Sequence, residues 1–145
     1  MLAGRLGKPG SVDRLDVRLL RVAGMRIGTH GMDHVSWRGL DAAGVRRELI
    51  QAREHITMAA GETVDEAALP LGRYDRATLR HLRRLSYQHV YTSDRAQAVA
   101  GAWLQPRFSI TADDDGASVR SHILTGQGIA RRVERQAAGL VKRLR

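Results

Sequence analysis

The chain contains no cysteine, which rules out disulfides and thiolate zinc sites and leaves His, Asp and Glu as the strong metal ligands at its disposal. Aromatic residues are scarce, with a single Phe, so whatever core forms must rest on aliphatic side chains and a few large rings. No apolar run is long enough to span a bilayer, and the opening MLAGRLGKPG lacks the apolar core of a secretory signal. As written, the sequence therefore reads as a cytoplasmic protein. Acidic residues are also in short supply: 15 against 24 basic ones, for a formal charge of +9. Six of the basic residues fall in the last fifteen positions, RRVERQAAGLVKRLR. Such a segment suits an anionic partner and equally suits a solvated helix face.

What is present fits one folding unit. A 145-residue chain with 43% hydrophobic and 27% charged residues can bury one core and has no surplus for a second domain. Val12, Leu15, Leu19 and Val22 recur at helical spacing, with Ser11 as a candidate N-cap and Gly24 as a stop. Residues 25–28 read as a short strand leading into Thr29 and His30. A second helix is expected over 41–60, where Val45, Leu49, Ala52 and Ile56 line one face and Gly61 ends it. Residues 67–72 read as a short strand closed by a turn, and Asp75 as the cap of a helix carrying Leu79, Leu82 and Leu85. A strand follows at 89–92, then extended pieces at 103–104 and 108–110 flanking Pro106. A short helix is expected over 117–124 and a basic amphipathic one over 129–144. The run Asp113-Asp114-Asp115-Gly116 reads as a solvated turn. Helices alternating with short apolar strands indicate parallel βαβ units, whose sites form beyond the C-terminal ends of the strands. A closed barrel of such units usually takes roughly 200 residues or more, so the expected sheet is partial.

His30-Gly-Met-Asp-His34 is the stretch richest in chemistry. Two imidazoles four residues apart, just past a strand, can converge on one metal ion, with Gly31 allowing a tight turn. On spacing alone, two hydrogen-bonded or surface histidines explain the same pattern. Three segments, MRIGTHGMDHVSW, RRELIQAREHI and LPLGRYDRATLRHLRRLSYQHVYTSD, together resemble the polysaccharide deacetylase family, also called NodB homology domains or carbohydrate esterase family four. Gly28-Thr29-His30, His34 and Glu48-Leu49 carry the likeness, which covers most of residues 1–110.

The resemblance implies an α/β fold of the deformed (β/α) barrel type, a divalent metal, usually zinc, on His30 and His34, and hydrolysis of N- or O-acetyl groups on an amino-sugar polymer. Asp33 is a further candidate ligand or a partner to the histidines. Pro70, Gly72 and Tyr74 fit the family's substrate loop, and turn chemistry and packing explain the same residues; Trp37 is a candidate to line a sugar site, with core packing as the bland reading. The departures are as specific as the matches. The family's Thr-Phe-Asp-Asp motif, which supplies the base and the third ligand, has no counterpart ahead of His30. Ala68 stands where the family carries an arginine two residues before the proline, with Arg73 nearby but not equivalent. The late Leu-x-His motif is matched only by His122-Ile123-Leu124, in the wrong order, which makes His122 a faint candidate for the acid. The expectation is thus a partial barrel over 1–127 that lacks its first strand or strands, followed by a basic helix over 128–145. Its unprotected sheet edge could pair with a second copy. The competing reading is a non-catalytic module that docks on membrane, cell-wall polymer or nucleic acid through that helix; nucleic acid is not expected as the primary partner.

Overall fold

Short polar side chains start three of the helices. Asp13 and Asp16 form a reciprocal capping box, each carboxylate accepting from the other's backbone N–H at 2.9 Å, and so open helix α1 (Arg14–Val22). The cap is therefore Asp13 rather than Ser11, because only Asp13 has an acidic residue three positions on to return the bond. Asp41 caps α2 (Ala42–Val45), and Asp75 caps α4 (Arg76–Arg84) through the Thr78 amide at 2.8 Å. The computed structural model describes residues 1–123 and 139–144.

The helix expected over 41–60 is one continuous rod with an internal irregularity. α2 runs into a π-helical turn (Arg46–Gln51) and then α3 (Ala52–Ala60), which stops at Gly61 in the left-handed conformation, φ 73°. Two consecutive residues of this turn, Glu48 and Leu49, are buried, and Glu48 shapes the site below.

Three parallel strands form the sheet in the order β1 (Glu66–Ala68), β2 (His89–Thr92), β3 (Leu104–Pro106), with Ala67 opposite Val90 and Tyr91 opposite Gln105. Residues 25–28 carry the chain up to the sheet, and ladder bonding begins at Thr29. Thr29 donates to Glu66 O at 2.8 Å and accepts from Ala68 N at 2.9 Å. On its other side Met1 adds a further parallel pairing, with His30 N donating to Met1 O at 2.6 Å. Pro70–Gly72 forms a tight 3-10 turn after β1. In place of two extended pieces flanking Pro106 there is one strand that ends on it. Proline is tolerated there because, among the described residues, β3 pairs with β2 alone. Helix α5 (Gly116–Ile123) follows, and residues 139–144 are helical. No described helix is long and apolar enough to cross a membrane. The boundary expected between 127 and 128 lies outside the described residues.

Two apolar clusters hold these layers. Val17, Ile27, Met32, Ile56 and Val64 pack between α1 and α3. Trp37, Leu49, Leu69, Tyr74, Leu82 and Val90 fill the space between the sheet, the π turn and α4. Helix α1 turns a different face inward from the one its strongest stripe suggests. Val17 is buried and Leu20 partly so, while Leu15, Leu19 and Val22 are exposed. The segment RLDVRLLRV carries two apolar stripes at helical spacing, and docking against α3 selects the Val17–Leu20 side.

Candidate metal centre

All the loops of interest leave the C-terminal ends of parallel strands, where sheets of this kind gather ligands. His30 follows Thr29, the Pro70 turn follows β1, and Ser93-Asp94 follows β2.

The two histidines stand side by side. Their ring centroids are 4.9 Å apart with the planes tilted by 49°. Gly31 at φ 87° and His34 at φ 60° turn the intervening loop back on itself. The Nδ1 atom of His30 lies 2.7 Å from the backbone carbonyl of Ala68. A carbonyl only accepts, so this contact puts the proton on Nδ1 and leaves Nε2 of the neutral ring with a free lone pair. Burial, followed by the neighbouring charges of His34 and Arg107, holds the His30 pKa below the ordinary histidine value despite the opposing Ala68 bond. The neutral, ligand-competent form is thus favoured.

Beneath the loop sits Glu48, almost wholly buried. Its carboxylate accepts from Met32 N at 2.9 Å, from Asp33 N at 3.2 Å and from Trp37 Nε1 at 3.4 Å. Asp33, a candidate ligand, is engaged elsewhere: Arg47 Nε and Nη2 reach its two oxygens at 2.5 and 3.0 Å. That hydrogen-bonded guanidinium holds the Asp33 carboxyl below the ordinary aspartate value. Among the described residues no group of three His, Asp or Glu side chains is placed to hold a metal, so the pair offers two ligand positions.

The residues read as a substrate loop come together in a second cluster. Pro70 and Gly72 are buried in the turn, and a Cβ at Gly72 would run into Ser93 Oγ. Tyr74 is buried, with its hydroxyl donating to Asp94 Oδ2 at 2.7 Å. Lys142 Nζ reaches Asp94 Oδ1 at 2.6 Å and Gly72 O at 3.2 Å. Burial and the bond to Asp94 raise the Tyr74 pKa. Trp37 is fully buried in the core beside Glu48, and its backbone carbonyl accepts from Thr78 Oγ1 at 2.6 Å. His122 lies in α5, and its side chain is outside the described part of the structure. His89 belongs to a separate group at the start of β2, with Arg26 and Glu66.

Asp94 is not singled out in the sequence, although its position just after an apolar strand is a usable signal; Lys142 falls in the basic C-terminal segment, where nothing sets it apart from the neighbouring cations. Burial alone would push the Asp94 carboxyl up, yet Lys142, Tyr74 and Thr92 together hold it below the ordinary aspartate value. A depressed folded pKa contributes stability above the unfolded value, and that contribution is lost as pH falls through the folded one. Lys142→Ala should therefore move the acid-unfolding midpoint, followed by circular dichroism, to higher pH; an unmoved midpoint would show that the pair adds nothing to stability.

The chain thus carries paired histidines beyond the C-terminal ends of the strands of a parallel α/β sheet. The polysaccharide deacetylase family model matches residues 10–90, and the chain belongs to that family. No curated protein matches the chain. Among solved structures, it is similar to the Streptococcus pyogenes deacetylase PplD in complex with acetate, at 18% identity and a TM-score of 0.75 over 84% of this chain and 56% of that one. It is similar also to BC0361, a polysaccharide deacetylase from Bacillus cereus, at 14% identity and a TM-score of 0.68 over 83% of this chain and 39% of that one. IcaB from Ammonifex degensii aligns at 19% identity with a TM-score of 0.60, over 77% and 55% of the two chains. These likenesses establish a shared fold, and the chain spans roughly two fifths to just over half the length of these structures.

Proposed function

We propose that His30 and His34 are the histidine ligands of a divalent-metal site, with zinc among the ions that imidazole donors suit, serving the deacetylation of an acetylated amino-sugar polymer. The observation that carries this reading is the orientation of His30: Nδ1 bound to Ala68 O, Nε2 free, and the ring of His34 alongside. Histidine ligands usually give their second nitrogen to a carbonyl or carboxylate in this way. When bound, the metal would supply polarisation of the acetyl carbonyl and an acidified water.

The remaining work falls to the chain's own groups. Ala68 O fixes the His30 tautomer, and the Pro70–Gly72 turn, braced by Tyr74, Asp94 and Lys142, forms the neighbouring wall. Because the Tyr74 ring is buried and its hydroxyl bonded, its proposed part is to hold that wall rather than to stack on a sugar. Two imidazoles without an acidic third ligand bind zinc more weakly than a complete three-ligand site. Metal binding is accordingly the activity assigned to this chain, and acetyl hydrolysis the reaction such a site serves.

Calorimetric titration with zinc tests the reading. His30→Ala and His34→Ala should each abolish the binding heat of the wild-type chain, while His81→Ala, on α4, should leave it intact. Equal heats from all four proteins would overturn it.

A further inference from the structure

We infer that Glu48 is a positioning residue for the two histidines, acting through the loop that joins them; this rests on the reading of His30 and His34 as metal ligands. Burying a carboxylate is costly unless donors satisfy it, and those that satisfy Glu48 come from one short stretch. The amides of Met32 and Asp33 and the indole N–H of Trp37 all point at its two oxygens. Met32 and Asp33 lie between the two histidines in sequence. Fixing their amides therefore fixes the path that sets the separation and tilt of the rings.

Three further features fit this role. Within the π-helical turn Glu48 and Leu49 are both buried, Leu49 among the core side chains and Glu48 against the loop. Gly31 passes directly over the carboxylate. A Cβ there would collide with Glu48 Oε2 and come within 3.0 Å of Trp37 Nε1, so the loop backbone and Glu48 are fitted to each other. Finally, Asp33 turns outward to Arg47, so the inner side of the loop is held through its backbone: Glu48 takes the Met32 and Asp33 amides, while the Gly31 and Met32 carbonyls accept from Ala3 N and Gly4 N at 2.9 and 3.0 Å.

Glu48→Gln is the informative variant, because it keeps the shape but replaces one acceptor oxygen with an NH2 group facing a backbone N–H. Cobalt titration of the full chain, read by the visible absorption of the bound ion, should show affinity falling about tenfold, the low end of what a direct outer partner of a metal ligand contributes, because Glu48 acts on the loop and touches neither imidazole. Amide hydrogen exchange on the metal-free protein should show faster exchange at Met32 and Asp33, with Ala68 and Val90 unchanged. Unchanged cobalt affinity, or accelerated exchange spread evenly over the fold, would overturn the inference, the latter by making Glu48 a general stability residue. Should Glu48→Gln not fold, Trp37→Phe removes one donor to the same carboxylate and should weaken cobalt binding less; no weakening at all would count against Glu48. If the wild-type chain shows no cobalt binding dependent on His30 and His34, the ligand reading fails and the Glu48 assignment falls with it. Histidine-dependent binding that is indifferent to Glu48→Gln removes the Glu48 assignment alone.

Discussion

Trp37→Ala is expected to lower the unfolding free energy by about 3–5 kcal/mol, the range for deleting a large aromatic side chain from a packed core. The indole is wholly buried among Leu49, Leu69, Tyr74 and Leu82, in the cluster that joins the sheet to the π turn and α4. Its removal leaves a cavity bordered by elements tied down elsewhere, since Tyr87 bonds Leu49 O at 2.9 Å and Thr78 bonds Trp37 O. Little collapse is available to offset the loss. The variant also removes one donor from the Glu48 carboxylate, so zinc affinity should fall along with stability. Urea unfolding monitored by circular dichroism measures the first effect; a loss below about 1 kcal/mol, the scale of ordinary surface substitutions, would place Trp37 outside the core.

The second large effect is expected at Gly31→Ala, about 2–5 kcal/mol. Roughly 1–2 kcal/mol comes from holding an L-residue at left-handed φ, and about 1–3 kcal/mol from forcing a methyl group against packed neighbours. Both contributions apply at φ 87°, where the new methyl would strike Glu48 and Trp37. Gly39→Ala is the natural comparison. It has φ 72° and nothing within 4 Å of the built Cβ, so it carries the backbone contribution only. The difference between the two variants isolates the packing share, and equal losses would mean that Gly31 is not pressed against the carboxylate.

Much of this architecture could be read from the sequence because local chemistry and tertiary structure agree. The Asp75 cap, the Gly61 stop and the alternation of helices with short apolar strands all anticipate elements that form. The disagreements share a cause: local patterns that allow two answers. Helix α1 carries two apolar stripes, and only the docking of α3 shows that Val17 and Leu20 are the inner one. The helical period puts Val45, Leu49, Ala52 and Ile56 on one face and gives no sign that Glu48 is buried as well. Its family-like Glu48-Leu49 pair marked the place without indicating what the carboxylate does.

The site divides along the same line. His30 and His34 were legible because their spacing, the glycine between them and the strand before them lie within a few residues. Asp33 and Trp37 were in the right neighbourhood, but spacing does not show where a side chain turns. Asp33 faces Arg47, and Trp37 faces the core. The Tyr74–Asp94–Lys142 cluster joins residues far apart in the chain, and no local pattern announces such a contact.

The most direct measurement on the central claim is zinc-edge X-ray absorption of the zinc-loaded chain. Two imidazole nitrogens per zinc at about 2.0–2.1 Å, with oxygen donors completing the shell, are expected for the wild type. Loss of that imidazole scattering should follow in the His30→Ala, His34→Ala double variant. A spectrum without imidazole, or one unchanged by the double substitution, would contradict the assignment of these two histidines as the metal's ligands.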